Sequence, residues 1–201
     1  LDWREQWLAF AALGCVLLVP ALRWLPPPDT SGLTTSGQKL QDKPPSPLYL
    51  RVFMAVYFCT GFGYVVSVTF IVAIVNQLPG LAGRGNLAFL AIGVGAAPAC
   101  IVWDLVARRT GDLNALIVAA VLQIAGILLP VLVPGLWAAM LGSLLFGGTF
   151  IGMVSLVLSM AGRYYPSMPA KMMGKMTLSY GVAQIIGPAI TGMIGAKFGT
   201  Y

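Results

Sequence analysis

The sequence predicts an all-α integral membrane protein, a polytopic bundle of six transmembrane helices. Of its 201 residues, 58% are hydrophobic and 9% are charged, and the mean hydropathy is +0.86. A soluble domain has about 45–50% apolar residues. The excess here is concentrated in runs long enough to cross a bilayer, which takes about 20 residues as a helix. These runs lack the alternating pattern of barrel strands, so helices are the backbone that can satisfy its hydrogen bonds in lipid.

The apolar runs define the elements in order. They cover residues 7–25, 50–78, 87–106, 113–133, 136–162 and 176–198. Residues 26–48, between the first two runs, are rich in Pro, Ser, Thr and Gly and have the composition of a flexible linker. Pro20, Pro98 and Pro188 fall inside runs. Membrane helices tolerate proline because neighbouring groups re-satisfy the freed backbone, so we expect each run to form one helix.

Positive charge is distributed unevenly between the two sides of such a bundle. Six crossings place the gaps after the first, third and fifth runs on one side, and this side carries nine of the 12 Lys and Arg residues: Arg23, Lys39, Lys43, Arg51, Arg108, Arg109, Arg163, Lys171 and Lys175. The other side carries Arg4, Arg84 and Lys197. Because Lys and Arg prefer the cytoplasmic side, we predict that the linker is cytoplasmic and that both chain ends lie outside.

The composition argues against several chemistries. The chain has no histidine, and its three cysteines lie inside apolar runs without metal-ligand spacing. We therefore expect Cys15, Cys59 and Cys100 to be small buried hydrophobic residues, and we expect no metal and no cofactor. No Asp, Glu, Lys or Arg falls in the middle of a run, which leaves no evident nucleophile–base pair for a membrane enzyme. No motif for nucleic-acid binding is present.

Two runs carry polar stripes along one helical face. At 100° per residue, each stripe falls within about 80°. The second run contributes Tyr57, Thr60, Tyr64 and Ser67, and the sixth contributes Thr177, Tyr180, Gln184, Gly187 and Thr191. Polar side chains at membrane depth usually face the bundle interior or a water-filled cavity. We predict a substrate cavity lined by Tyr57, Thr60, Tyr64, Ser67, Thr177, Tyr180 and Gln184, although helix packing with local hydrogen bonds would also explain the stripes.

Small residues form a third stripe, on the fifth run. Gly148 and Gly152 lie one turn apart and are followed by serines at the same spacing. Small residues let membrane helices approach closely. We therefore predict helix packing at Gly148 and Gly152, and also at Gly187 and Pro188 of the sixth run, while space for a ligand remains the alternative for the fifth run.

A cluster of charges stands between the third and fourth runs. In "WDLVARRTGD", residues 103–112, Asp104 and Arg108 are four positions apart, so they face each other on a continuing helix. Arg109 falls beside them, at the level of the lipid headgroups. Spacing alone allows a simple topological anchor or a functional element at the cytoplasmic ends of the helices.

Several stretches resemble the major facilitator superfamily. "CIVWDLVARRTG" is similar to its cytoplasmic hairpin motif in the degenerate form found between the eighth and ninth helices. Asp104, Arg108 and Arg109 match the motif, whereas Cys100, Leu105 and Ala107 depart from it. "YFCTGFGYVVSVTF" resembles a seventh helix of the YbfB/YjiJ-like branch, and "SYGVAQIIGPAITG" resembles an eleventh.

The resemblance covers nearly the whole chain and implies helices six to eleven of twelve, a partial fold of the superfamily. Residues 1–25 would be the last helix of an N-terminal half, 26–48 the central cytoplasmic linker, and 49–201 a C-terminal half of five helices. The implied function is secondary active transport of a small organic solute by alternating access, in a bacterial inner membrane. The implied partners are that solute, the lipid bilayer, the N-terminal half and, for a proton-coupled carrier, protons.

The implied mechanism assigns Asp104, Arg108 and Arg109 to a cytoplasmic gate. A coupling acid would have to come from helices without a counterpart in this sequence, and a facilitator would fit equally. The main alternative function is a structural or assembly subunit of a membrane complex, which needs only packing surfaces. The packing glycines suit such a subunit, but the polar stripes do not. An enzyme is the less favoured reading because the chain offers no catalytic pair.

Overall fold

A computed structural model describes residues 2–25, 39–77 and 83–198, and seven α-helices lie within them. They are α1 (Trp3–Trp24), α2 (Pro47–Gln77), α3 (Gly85–Ala96), α4 (Ala99–Thr110), α5 (Asp112–Leu132), α6 (Leu136–Tyr164) and α7 (Pro169–Phe198). Five are long and apolar enough to cross a membrane, and α3 with α4 makes a sixth span if the bent pair is one crossing. The all-helical membrane prediction is confirmed.

The chain divides into two compact units, Leu1–Lys39 and Leu40–Tyr201. The first contains α1, whose first turn carries Glu5 and whose last turn carries Arg23. These charges suit the positive N-terminal and negative C-terminal ends of a helix. Most of the predicted linker, residues 26–38, lies outside the described residues. Residues 40–46 belong to the second unit, and α2 begins at Pro47, within the predicted linker.

Helix α6 is the centre of the second unit, since it packs against α2, α3, α4, α5 and α7. Its buried side chains include Met153, Leu156, Val157 and Met160, which belong to the main apolar core. The close approach of α6 to α5 depends on glycines, which have no side chain. A Cβ on Gly142 would lie 2.6 Å from the Gly126 carbonyl oxygen of α5. Glycine therefore lets the two backbones meet without displacing either helix.

The third predicted helix, residues 87–106, is broken in the structure. Helix α3 ends at Ala96, α4 begins at Ala99, and the two axes are bent by 45°. Pro98 stands at the break, where it lacks an N–H and its ring would collide with the carbonyl of the preceding turn. The expectation of one continuous helix was wrong here. Pro20, Pro130 and Pro188, by contrast, lie inside uninterrupted helices.

Helices α2 and α7 form the other close pair. A Cβ on Gly61 would lie 2.9 Å from the Tyr180 carbonyl oxygen, and one on Gly187 would lie 2.6 Å from Val65 Cγ1. The Ser179 hydroxyl donates to the Met54 carbonyl across the same interface at 3.4 Å. This pairing brings the two predicted polar stripes onto adjacent helices.

Candidate functional site

Aromatic side chains from three helices converge in the second unit. Tyr57 and Tyr64 come from α2, Phe146 and Phe150 from α6, and Tyr180 from α7, and we call these five residues the aromatic cluster. The ring centroids of Tyr57 and Tyr180 are 4.9 Å apart, those of Tyr64 and Phe150 4.5 Å, and those of Tyr64 and Tyr180 6.0 Å. Such distances are typical of interacting aromatic pairs. The cluster lies near the middle of the spans, since Tyr64, Phe150 and Tyr180 are close to the midpoints of their helices.

The three tyrosines combine covered rings with available hydroxyls. Tyr57 is 3% exposed and Tyr180 is 9% exposed, while Tyr64 is half-buried. Among the described residues, none of the three hydroxyls has a hydrogen-bond partner. A tyrosine hydroxyl at membrane depth usually finds one. The cluster thus presents donors and acceptors that a bound molecule could satisfy.

The other predicted cavity residues are not joined to this cluster by any hydrogen bond or ring contact within the described chain. Thr60 and Thr177 donate to carbonyls of their own helices, at Val56 and Met173, each at 3.0 Å. Ser67 and Gln184 are half-buried and have no partner among the described residues. The structure therefore brings together Tyr57, Tyr64 and Tyr180 from the predicted set.

Phe146 and Phe150 were not among the site residues predicted from the sequence. They lie one turn apart on α6 and contact each other at 5.5 Å and Tyr64 at 6.2 and 4.5 Å. Their i, i+4 spacing is visible in the sequence, but the prediction for the fifth run was based on its stripe of small residues. An apolar aromatic residue in a uniformly apolar helix carries no sequence signal for the face it occupies.

The predicted packing glycines adjoin a tryptophan that sequence reasoning also missed. The Trp103 indole N–H of α4 donates to the Gly148 carbonyl oxygen of α6 at 2.7 Å. A Cβ on Gly152 would overlap the same indole ring. Gly187 leaves room for Val65, as described above, and Pro188 is half-buried within the continuous α7.

The predicted gate residues form a pair within one helix. Arg108 Nε donates to Asp104 Oδ2 at 2.7 Å, and the two side chains are 73% and 59% exposed. Arg109 is exposed, and it has no ion-pair partner among the described residues. An exposed i, i+4 pair contributes only about 0.3–0.5 kcal/mol, so both groups can exchange partners at little energetic cost.

An ion pair between helices lies at the same end of the unit. Arg163 Nη2, near the end of α6, donates to Asp112 Oδ1, at the start of α5, at 2.7 Å. Asp112 was visible in the charge cluster, but its partner is 51 positions away, so only the folded chain reveals the link. We call the end of the unit that carries Asp104, Arg108, Arg109, Asp112 and Arg163 the charged face.

Residues 40–46, which we call the linker strap, contact this face. The Lys43 N–H donates to the Tyr164 carbonyl oxygen at 3.1 Å. Asp42 accepts the Ser167 N–H at 3.0 Å and the Ser167 hydroxyl at 2.8 Å. Ser46 then accepts the Tyr49 N–H at 3.3 Å in the first turn of α2, the role expected of a serine at a helix start.

The burial of the cysteines and of one glutamine differs from what their apolar surroundings in the sequence indicate. Cys15, Cys59 and Cys100 are exposed, so the expectation that they are buried was wrong. Cys59 and Cys100 lie on helix faces turned away from the apolar core of the second unit, and an apolar run does not specify that face. Gln123 of α5 is only 5% exposed, and its Oε1, like the Ser143 hydroxyl of α6, has no hydrogen-bond partner.

Within the described ranges, no three His, Cys, Asp or Glu side chains are grouped so that they could hold a metal ion. The arrangement at the aromatic cluster is suited to binding by ring stacking and hydroxyl hydrogen bonds. The charged side chains of α2, α6 and α7 lie near the helix ends.

Comparison with known proteins agrees with this architecture. Residues 1–201 match the family model described as "Uncharacterised MFS-type transporter YbfB". Neither a curated protein nor a solved structure matches the chain significantly. The match extends over every residue and accords with a multi-pass bundle of apolar helices, so the chain belongs to the YbfB-like family of major facilitator superfamily transporters.

Proposed function

We propose that this chain moves a small organic solute across the membrane by alternating access, with the solute bound at the aromatic cluster. The observation that carries the proposal is the meeting of Tyr57, Tyr64 and Tyr180 near mid-span, on helices of a transporter family. Secondary transporters bind their solutes near the bilayer midplane, between parts that rock against each other. Three hydroxyls that have no partner among the described residues would give such a site its polar contacts.

The chemistry of the cluster favours an uncharged or amphipathic solute. Tyrosine offers an apolar body with a polar tip, and the phenylalanines of α6 extend the apolar surface. The charges of α2, α6 and α7 lie near their ends: Arg51, Arg163, Lys171, Lys175 and Lys197. A proton-coupled mechanism would therefore take its acid from outside these three helices.

The charged face would act as the gate. We propose that Asp104, Arg108 and Arg109 pair with an N-terminal half when this side is shut and separate from it when this side opens. Their exposure and weak mutual pairing leave them available for that exchange. The charge bias would make this face cytoplasmic and the membrane a bacterial inner membrane. The N-terminal half would supply the other wall of the pathway.

Site-directed labelling tests the proposal without knowledge of the solute. In the full-length protein with all native cysteines replaced by serine, Thr60→Cys and Gln184→Cys place single thiols on the two polar stripes. The probe is methanethiosulfonate-ethyltrimethylammonium, which does not cross membranes, applied to right-side-out and inside-out vesicles. Alternating access predicts labelling of both positions from both sides.

The matched control is Val121→Cys on α5, an exposed apolar position at similar depth. A thiol that faces lipid should react at least about tenfold more slowly, because the charged reagent stays in water and the thiolate that reacts is suppressed in an apolar environment. Labelling of Thr60→Cys and Gln184→Cys from one side alone, or from neither, would contradict alternating access at this site.

A further inference from the structure

A second concave site lies on the charged face, away from the aromatic cluster. It is a cavity of about 240 Å³ between the linker strap and the first turns of α7. Its lining residues, which we call the basic pocket, are Asp42, Tyr165, Met168, Lys171, Met172 and Lys175. The transport proposal uses none of them, and the inference below does not depend on it.

The pocket carries a surplus of positive charge. Lys171 and Lys175 are four positions apart on α7, so both ammonium groups lie on one face of the helix. Both side chains are exposed, and neither forms an ion pair within the described residues. Tyr165 adds a phenol that can donate a hydrogen bond. Two cations without counterions and a phenol make a site suited to an anion.

The one acidic residue of the pocket is already engaged. Both oxygens of Asp42 accept hydrogen bonds from Ser167, at 3.0 and 2.8 Å. Ser167 therefore orients the Asp42 carboxylate, and the strap forms one wall of the cavity. The two lysines outnumber this single carboxylate, which leaves a net positive charge at the opening.

The location of the pocket identifies the source of the anion. Tyr164 ends one membrane span and Pro169 begins the next, so the connection between them lies at the boundary between lipid and water. Met172, 7% exposed, forms an apolar floor, while Met168 is 59% exposed at the rim. Basic pockets between membrane helices bind phosphate-bearing headgroups. An apolar floor below two lysines fits the glycerol phosphate of a lipid, with its acyl chains in the bilayer.

We propose that the basic pocket binds the phosphate-bearing headgroup of an anionic phospholipid, through Lys171, Lys175 and Tyr165. An occupied pocket would join the strap, the α6–α7 connection and the bilayer surface. Attraction of a lysine to an anionic headgroup increases affinity about fivefold. Two lysines therefore predict roughly 25-fold tighter retention of an anionic lipid than of a zwitterionic one.

The test is native mass spectrometry of the full-length protein in detergent. The protein is equilibrated with equal amounts of phosphatidylglycerol and phosphatidylcholine of identical acyl chains. Wild-type protein should retain phosphatidylglycerol selectively, and Lys171→Gln with Lys175→Gln should lose that selectivity. The control removes two positive charges elsewhere, Arg84→Gln with Lys197→Gln, and should keep it. Equal retention of the two lipids by wild-type protein, or unchanged selectivity in the lysine variant, would overturn the proposal.

A variant that is expected to raise phosphatidylglycerol retention separates the proposed site from an effect of misfolding. Asp42→Asn removes the negative charge but keeps an oxygen that can accept from the Ser167 N–H. It should raise phosphatidylglycerol retention by about two- to fivefold, since one repulsive charge is removed. Loss of structure could only lower selectivity, so unchanged or lower retention in a variant that stays monodisperse in detergent would count against the site.

A last measurement decides whether the pocket binds a lipid headgroup or a free phosphate. Inorganic phosphate and glycerol 3-phosphate, each at millimolar concentration, are added to delipidated protein and the melting temperature is followed. The lipid assignment predicts little change with either anion and a clear rise with phosphatidylglycerol in mixed micelles. Equal stabilisation by free phosphate would assign the pocket to a soluble anion and refute the lipid proposal.

Discussion

The two sides of α6 are built differently, although both are apolar and lie in the same membrane. Toward α3, α4 and α5 it presents glycines: the α3 backbone at Ile92 leaves no room for a Cβ on Gly147, and the Trp103 ring of α4 leaves none on Gly152. Toward α2 it presents Phe146 and Phe150, which contact Tyr64, and the Tyr64 hydroxyl has no partner within the described chain.

If the aromatic cluster binds solute as proposed, α6 serves as a scaffold on one side and contributes to a site on the other. In lipid there is little hydrophobic drive between helices, so close van der Waals contact and hydrogen bonds hold them together. The glycine side maximises this contact, and the Trp103–Gly148 hydrogen bond adds to it. On the aromatic side, the phenylalanine rings of α6 contact Tyr64, which in turn contacts Tyr180. Substitutions on the glycine side should therefore change stability, and those on the aromatic side should change binding.

The largest expected effect is on the glycine side. Gly152→Val would drive a branched side chain into the Trp103 ring, and overpacking of this kind costs about 3 kcal/mol or more. We expect loss of the monodisperse protein peak in detergent and a markedly lower melting temperature. Gly93→Val is the control, because a Cβ there meets no atom within 4 Å. Equal melting temperatures of the two variants would contradict the proposed difference between the two sides of α6.

On the aromatic side, Tyr180→Phe removes a hydroxyl without a partner among the described residues and keeps the ring. The melting temperature should stay the same or rise slightly, because no hydrogen bond of the described fold is lost. Affinity for the solute should fall about tenfold, equivalent to about 1.4 kcal/mol for one hydrogen bond. The readout is thermal stabilisation by the most effective compound from a screen of small uncharged and amphipathic molecules. A large loss of stability without ligand would instead assign Tyr180 to the scaffold.

A smaller effect is expected at Gln123, a buried polar residue of α5, which packs against the glycine side of α6. Its Oε1 is buried without a partner, so Gln123→Leu should raise the free energy of unfolding by about 1 kcal/mol. Gln184→Leu is the matched control, since Gln184 is half-buried and belongs to the proposed solute path. It should leave the melting temperature unchanged and slow the labelling of Thr60→Cys. A destabilised Gln123→Leu protein would indicate that the amide has a partner in the membrane.

The smallest effect concerns the charged face. Asp104→Asn removes an exposed pair of about 0.3–0.5 kcal/mol. Insertion and melting temperature should be unchanged, while the labelling of Thr60→Cys from the charged face speeds up about twofold because the shut state loses a pairing, the factor that roughly 0.4 kcal/mol produces in a rate. Labelling at the normal rate in a well-expressed variant would refute the proposed gate.

Periodicity identified residues that the fold brings together, while their role in lining a substrate cavity stays a prediction. The stripes that contain Tyr57, Tyr64 and Tyr180 are defined by 100° spacing, and the α2–α7 pairing places these residues side by side. The same method missed Phe146, Phe150 and Trp103, because an aromatic side chain in a uniformly apolar helix does not reveal which face it occupies. It also misjudged the cysteines for the same reason, since apolar surroundings in sequence do not imply burial when the solvent is lipid.

Local sequence determined that the chain is a helical membrane protein, because hydropathy and run length depend only on neighbouring residues and on the thickness of the bilayer. It also determined which residues share a helical face and, through Asp104, Arg108 and Arg109, the family resemblance that the family match confirmed. Tertiary structure decided the partners: Arg163 with Asp112, Asp42 with Ser167, and the bend at Pro98 between α3 and α4. These features depend on contacts between residues far apart in the chain, or on whether neighbouring helices absorb a proline, and no local pattern encodes either.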